Sequence, residues 1–307
     1  MRTGKVKESI LKRSVLRQLN TGHPVFPVRI NPVEGWTLAA RRAVYGAVNA
    51  LAAAEIKAQT LAVTVLMPPG TEEKQLKEFM SELSSLCHRE GITISAGHTA
   101  VTPSVNTLLL SVAGIGEKMD LAKPGNTDRA EGMDVIMTGH AGREGAALLA
   151  IEKEEELMTR YPLSYIETAA HFYDDAGQLE AASLLWENGA LGIQNVREGG
   201  VFGALWELAV ACRVGLDIEL TSIPIRQHTI EICEFFDLNP YMLLSGGCLL
   251  AVCPKGKAAV DALAEHGIAA ELIGRTTADN DRVIRYDTET RYLEPPGTDE
   301  IYKIDRM

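Results

Sequence analysis

The chain has 307 residues, of which 46% are hydrophobic and 23% are charged, proportions that are ordinary for a globular protein. Its formal net charge is −11, from 30 basic and 41 acidic residues, which argues against nucleic acid or an anionic membrane as a partner. No apolar run approaches the ~20 residues that span a bilayer, and no apolar segment follows the basic N-terminus. We therefore predict a cytoplasmic protein with no signal peptide and no membrane segment.

The cysteines indicate buried thiols rather than a metal site. The chain contains five, without the spacing of a zinc knuckle: Cys87, Cys212, Cys233, Cys248 and Cys253. Most lie in apolar sequence, which favours free thiols in a reducing compartment. We predict no metal-binding residues among them.

The first third of the chain predicts alternating helices and strands. The predicted elements are a helix from Lys5 to Leu19, a strand from Val25 to Ile30, an alanine-rich helix from Leu38 to Ile56, a strand from Thr60 to Met67 and an amphipathic helix from Gly70. The last helix has one apolar face, so we expect it to cover a core.

The segment from Ser95 to Asn106 is predicted to be a small-residue loop between two strands, Ile92 to Ala96 and Leu108 to Ile115. Such a loop would hold His98, Thr99 and Asn106 at a strand end, facing a cleft. Gly97 lacks a side chain and would let the backbone approach a ligand. An ordinary hairpin-like connection remains open as the alternative.

A polar stretch from Asp120 to Arg129 predicts a domain boundary. Beyond it, a strand from Asp134 to Met137 runs into the glycine-rich turn from Gly139 to Gly145. That turn predicts either an anion cradle at a helix start or close packing of the helix on the strand. The remaining elements are two helices from Tyr161 to Asn188 with Gly177 between them, a helix from Phe202 to Cys212, a strand from Asp217 to Leu220, a helix from Arg226 to Phe236, a strand from Cys248 to Val252, a helix from Lys255 to Glu265, and edge strands at Ala270 to Ile273 and Val283 to Tyr286.

Several blocks in this order resemble the aminoimidazole ribonucleotide synthetase (PurM-like) superfamily, in its branch of AIR synthase related proteins and hydrogenase maturation factors. The blocks are Ala-Gly-His-Thr-Ala-Val-Thr-Pro at 96–103, Gly-Met-Asp-Val-Ile-Met-Thr-Gly at 132–139, Glu-Gly-Gly-Val-Phe-Gly at 198–203 and Leu-Ser-Gly-Gly-Cys at 244–248. The resemblance implies an α/β (α+β) fold with an N-terminal domain at 1–122 and a C-terminal domain at 123–307. It also implies a homodimer in which the N-terminal sheets form a shared barrel, with Thr60 to Met67 and Thr107 to Ile115 at the interface.

Relatives in this superfamily use ATP to phosphorylate an amide or carboxyl-type oxygen, with Mg²⁺ held by carboxylates from separate loops. At the corresponding positions this chain has Asn31, Ala50 and Asn195, and it lacks the glycine-aspartate nucleotide loop. An amide keeps the shape of a carboxylate but loses its charge, and alanine removes the ligand. We therefore expect neither ATP nor Mg²⁺ as a cofactor, unless the family activity survives with other ligands.

The resemblance also supplies a set of candidate ligand-binding residues. They are Asn31, Asn49, Gly97, Thr99, Asn106, Gly139, Asn195, Glu198, Gly199 and Gly200. His98 is the candidate catalytic residue, as a general base, with a substrate contact or a packed structural histidine as alternatives.

Two functional hypotheses follow. The first is a pseudoenzyme that keeps the fold, has lost Mg-ATP catalysis, and binds a small ligand or a paralogous protein partner. The second is an active ATP-dependent, ligase- or kinase-like enzyme with substitute ligands from among Glu34, Asp134, Glu144 and Glu198. Carbamoyl-handling maturation enzymes carry a reactive cysteine in a C-terminal tail, and this sequence has none after Cys253, so we expect no such reaction.

Overall fold

The computed structural model of the protein describes residues 8–18, 27–121 and 131–304. Its N-terminal part builds one four-stranded sheet. The elements are α1 (Glu8–Ser14), β1 (Val28–Glu34), α2 (Ala39–Ala52), β2 (Ile56–Met67), α3 (Glu73–Arg89), β3 (Thr93–Val101) and β4 (Leu109–Lys118). The strand order is β1-β4-β2-β3, with β2 and β3 parallel and the other two pairs antiparallel.

Helices α2 and α3 cover one face of this sheet and leave the other face half-exposed. Along β4 and most of β2, buried residues alternate with half-buried ones, the two-residue period of a strand with one covered face. On the covered face, Leu61 and Val65 pack with Leu83 of α3. The opposite face carries exposed apolar side chains, among them Ile30, which is 68% exposed.

The C-terminal part builds a seven-stranded mixed sheet. Its elements are β5 (Asp134–Thr138), α4 (Arg143–Glu152), α5 (Glu154–Leu157), α6 (Leu163–Ala170), α7 (Leu179–Glu187), β6 (Gly192–Val196), α8 (Gly200–Cys212), β7 (Gly215–Glu219), α9 (Gln227–Phe235), β8 (Cys248–Cys253), α10 (Gly256–Glu265), β9 (Ala270–Thr277), β10 (Arg282–Tyr286) and β11 (Glu289–Tyr292). The strand order is β11-β10-β7-β9-β5-β8-β6. Strand β8 is buried along its whole length because one of its faces packs on α8 and the other on α7 and α10.

The predicted α/β architecture is confirmed, and most of the predicted elements are present with shifted ends. The strand expected from Val25 begins at Val28, and residues 19–26 lie outside the described part. The predicted boundary between residues 122 and 123 also lies outside the described residues, so it remains a prediction.

The predicted loop from Ser95 to Asn106 is wrong for its first half. Residues Thr93–Val101 form the edge strand β3, which pairs in parallel with β2. Small and polar residues suggested a loop, but an edge strand with a solvent-facing surface tolerates the same residues. The connection to β4 begins only at Thr102.

Helix α2 joins the two parts of the molecule. It packs on the N-terminal sheet, and its polar side chains reach the C-terminal part. Arg42 Nε lies 2.9 Å from Glu144 Oε1 of α4, and both side chains are buried. Arg41 Nη1 lies 2.6 Å from Asp174 Oδ1, and the indole of Trp186 donates to the carbonyl oxygen of Ala52. We call this contact between α2 and the C-terminal part the seam, and several of the predicted site residues lie along it.

Candidate functional site

Asn31 is buried beneath helix α2 and uses its amide group to hold that helix. Its Nδ2 donates to the carbonyl oxygens of Arg42 at 2.8 Å and Ala43 at 3.2 Å, and the residue is 1% exposed. Gly46 makes room for it, because a Cβ there would lie 2.1 Å from Asn31 Nδ2. These bonds require a donor, which a carboxylate lacks. The amide nitrogen therefore serves a structural contact, while Oδ1 is buried without a hydrogen-bond partner.

Asn49, also on α2, holds the segment that precedes α7. Its Nδ2 donates to the carbonyl oxygen of Ala176, and its Oδ1 accepts from the backbone N–H of Gln178, both at 2.8 Å. Gln178 in turn accepts a hydrogen bond from Thr138, the residue before Gly139. These hydrogen bonds link Asn49 to Thr138, next to Gly139, and they occupy both polar atoms of the Asn49 side chain.

The glycine-rich turn at the start of α8 has the shape of an anion cradle. Gly199 and Gly200 have φ values of +88° and +62°, and a Cβ on Gly200 would lie 2.5 Å from the carbonyl oxygen of Tyr241. Only glycine fits such a turn. The N–H of Gly199 donates to Asp299 Oδ2 at 2.6 Å, so a carboxylate of the same chain occupies this helix start.

Asp299 is the functional-site residue that the sequence analysis missed. It is 1% exposed and also accepts from the N–H groups of Leu244 and Ile301. Burial outweighs these hydrogen bonds and raises the pKa of Asp299 to about 7. It lies 100 residues from Gly199 in the chain. The Thr-Asp-Glu sequence, a capping pattern before a short helical turn, was the one available signal.

The neighbouring candidates at the end of β6 are half-buried. Asn195 Oδ1 is buried without a hydrogen-bond partner, while Gln194 Nε2 donates to Glu207 Oε2 at 2.8 Å. Glu198 is half-buried at the start of the α8 turn. These positions lie next to the turn occupied by Asp299, and their ligand-binding role remains a prediction.

Two of the acids proposed as substitute metal ligands, Glu144 and Asp134, serve structural contacts. Glu144 binds Arg42 through Oε1 and accepts the N–H of Gly246 through Oε2. Asp134 accepts the N–H of Gly256, at the start of α10, at 3.0 Å. Within residues 8–18, 27–121 and 131–304, no group of three histidine, cysteine, aspartate or glutamate side chains is arranged to hold a metal ion.

The residues around His98 lie apart from the seam. His98, Thr99 and Asn106 are exposed, the first two on edge strand β3 and the third in the connection to β4. A Cβ on Gly97 would lie 2.9 Å from the carbonyl oxygen of Val63, so its close backbone neighbour is strand β2. In the single chain these residues are exposed, and both their cleft position and the catalytic role of His98 remain predictions.

All five cysteines are free, and none has the environment of a nucleophile. Cys87, Cys233, Cys248 and Cys253 are buried, and Cys212 is half-buried. Burial raises the pKa of every one of these thiols, to about 11 for Cys248 and about 12 for Cys253. The prediction of buried free thiols is confirmed.

In the described part of the chain, no helix is both long enough and apolar enough to cross a bilayer.

These features define a two-domain α/β protein in which an N-terminal sheet and a C-terminal sheet meet along helix α2. The chain belongs to the AIR synthase related protein family. It matches the N-terminal domain of that family over residues 20–117 and the C-terminal domain over residues 130–287.

Named relatives lie in the hydrogenase maturation branch. The chain is 28% identical over 262 residues to the carbamoyl dehydratase HypE of Rhizobium leguminosarum, covering 80% of this chain and 70% of that protein. It is 27% identical over 256 residues to the same enzyme of Rhodobacter capsulatus, covering 80% and 72%.

Solved structures of HypE share the fold. The structure of E. coli HypE matches with a TM-score of 0.75 at 20% identity, covering 89% of this chain and 87% of that one. The hydrogenase maturation protein HypE in complex with ATP matches with a TM-score of 0.73 at 18% identity, covering 97% of each chain. HypE from a HypE–HypF complex matches with a TM-score of 0.70 at 20% identity, covering 88% and 90%. The predicted PurM-like fold is confirmed.

Proposed function

We propose that this chain is a hydrogenase maturation protein of the HypE type that binds a small ligand or a protein partner and does not transfer phosphate from Mg-ATP. The observation that carries the proposal is the use of the amide of Asn31 as a donor to two helix carbonyls. Where the resemblance implies a metal-binding carboxylate, this chain has an uncharged amide whose nitrogen is a buried structural donor. The neighbouring polar groups of Asn49, Glu144 and Asp299 are likewise bonded within the chain.

The thiols support the same proposal. The resemblance implies that carbamoyl transfer needs a reactive cysteine, whereas every cysteine in this chain has a raised pKa. A thiol that stays protonated at neutral pH is a poor nucleophile. We therefore propose none of these five cysteines as the nucleophile of a carbamoyl transfer.

The uncovered face of the N-terminal sheet supports a homodimer. Ile30, Ala62, Leu66 and Ala113 lie on that face, and none of them is buried in the single chain. An apolar sheet face of this kind is covered in stable proteins, and a second copy placed face to face would cover it. The homodimer, a cytoplasmic location and a protein partner, such as the one held by HypE in the HypE–HypF complex, belong to this proposal.

The alternative function is an active ATP-dependent enzyme. This alternative is supported by the matching fold of HypE in complex with ATP. Isothermal titration of the full chain with ATP, with and without Mg²⁺, separates the two. We expect no binding that depends on the metal, and no phosphate release in a parallel hydrolysis assay. Micromolar binding that requires Mg²⁺, together with ATP turnover, would overturn the proposal and support the enzyme.

A further inference from the structure

The ring of Phe172 is surrounded by three nitrogen-bearing side chains at the C-terminal part of the molecule. The ring centroid of His140 lies 4.9 Å from that of Phe172, and the ring centroid of His228 lies 5.6 Å away. The guanidinium carbon of Arg226 lies 5.2 Å from the same centroid. His140 lies in the turn before α4, and Arg226 and His228 lie at the start of α9. All three side chains therefore border one phenyl ring.

The start of α9 lacks a cap. Arg226 is the N-cap residue and offers no side-chain hydrogen bond to the helix, since a guanidinium only donates. The first N–H groups of a helix favour a negative partner. Here the N–H groups of Thr229 and Ile230 donate to the carbonyl oxygen of Arg226, which leaves those of Gln227 and His228 for a ligand. Arginine there adds a positive charge where helices usually place an oxygen acceptor.

Two buried polar groups next to this helix start have no partner. His140 is 9% exposed and its Nδ1 makes no hydrogen bond, and Thr229, in the first turn of α9, is fully buried with an unpartnered Oγ1. The two segments are adjacent, because the N–H of Ala141 donates to the carbonyl oxygen of Pro224 at 2.8 Å. An unsatisfied buried polar atom is costly, and a ligand is one way to satisfy it.

The charges around His140 are positive. Arg143 donates to the carbonyl oxygens of Phe172, Asp175 and Gly247, so hydrogen bonds satisfy it without a carboxylate. Arg143 and Arg226 add to the effect of burial and lower the pKa of His140 to about 3. On α9 itself, Glu231 already accepts from the hydroxyl of Tyr161 and from Gln227. In a chain with a net charge of −11, this is a local cationic cluster.

We propose that the start of α9 together with His140, His228 and Arg226 forms a binding site for a phosphate-type oxyanion. The oxyanion would accept from the N–H groups of Gln227 and His228 and from the guanidinium of Arg226, with the two imidazoles at its edge. The ligand is free phosphate or a phosphate group of a larger metabolite. The site is separate from the Gly199 turn, where Asp299 occupies the helix start, so it stands independently of the function proposed above.

The test is NMR of the imidazole signals of the full-length protein during titration with inorganic phosphate, at ionic strength matched with chloride. We expect saturable shifts of the His140 and His228 signals, which His140→Gln and His228→Phe identify by their loss. Arg226→Gln should weaken phosphate binding by at least about tenfold, since it removes a charge-assisted contact. The matched control is Arg291→Gln, which removes another exposed arginine on β11 and should leave binding unchanged.

A second titration with metal-free ATP distinguishes the source of the phosphate. Shifts of the same two signals by ATP, reversed by excess inorganic phosphate, would support a nucleotide phosphate at this site, while shifts with phosphate alone would support the free ion. Shifts that do not saturate, or that are equal in the wild-type protein and Arg226→Gln, would refute the site. Circular dichroism of each variant confirms that it is folded.

Discussion

Replacing Asn31 with aspartate introduces the residue type that the family resemblance implies at this position and therefore tests whether Asn31 is structural. In Asn31→Asp, the two hydrogen bonds to the carbonyl oxygens of Arg42 and Ala43 lose their donor, and an ionised carboxylate would face both oxygens at 1% exposure. The buried carboxyl would remain protonated instead, with a raised pKa. A protonated carboxyl has one O–H and can replace one of the two bonds.

The loss of stability in Asn31→Asp depends on the pH. Below the unfolded-state pKa, near 3.9, the carboxyl is neutral in both states and the variant loses about 1 kcal/mol, the net value of one hydrogen bond. Above that pKa, the unfolded state is ionised and the folded state is not, so stability falls by about 1.4 kcal/mol per pH unit until the folded pKa is reached. We expect a loss of about 1–2 kcal/mol at pH 4.5 and about 4–6 kcal/mol at pH 8 relative to wild type at the same pH.

Urea denaturation of both proteins at the two pH values measures this difference. Asn106→Asp is the matched control, because Asn106 is exposed and the same substitution there should change stability by less than about 0.5 kcal/mol at either pH. The structural assignment of Asn31 fails if Asn31→Asp shows no larger loss than the control at pH 8. It fails equally if that variant gains ATP binding that requires Mg²⁺.

Three further predictions concern the seam and the glycine-rich turn. Glu144→Ala leaves the guanidinium of Arg42 buried without its partner and should cost about 3–5 kcal/mol in urea denaturation, while the double variant with Arg42→Met should recover part of that loss. Gly200→Ala should lower the free energy of unfolding by about 3 kcal/mol or more. Gly70→Ala should lower it by only about 1 kcal/mol, because Gly70 has a similar positive φ but open space around it. The pKa of Asp299 is raised in the folded state, so the contribution of this carboxyl to stability falls as pH rises from about 4 to about 7. Over that range, the free energy of unfolding of Asp299→Asn should therefore fall less than that of the wild-type protein.

The fold could be predicted because its signals are local or repeated. The apolar runs of β2 and β4, the apolar face of α3 and the glycine-rich turns all identified elements that the structure contains. Only the start of edge strand β3 was predicted as a strand, because the small and polar residues that follow Ala96 lack the apolar pattern that marks a strand.

The site was harder to predict because its contacts join distant parts of the chain. The sequence shows that residues 31 and 49 are asparagines, but it does not show that both amides form hydrogen bonds with backbone groups. Asp299 reaches Gly199 across 100 residues, and Glu144 reaches Arg42 across 102. Such pairs leave no periodic trace in a single sequence, so the acidic side chain of Glu144 was read as a candidate metal ligand.

The position of α2 has a consequence for folding. The helix completes the core of the N-terminal sheet, yet the carboxylate partner of Arg42 and both side-chain partners of Asn49 lie in the C-terminal part. A fragment containing the N-terminal sheet alone would expose these groups and the surface of α2 that the C-terminal part covers. The two halves should therefore unfold in one cooperative transition, and neither should be obtained as a stable fragment by expressing it separately.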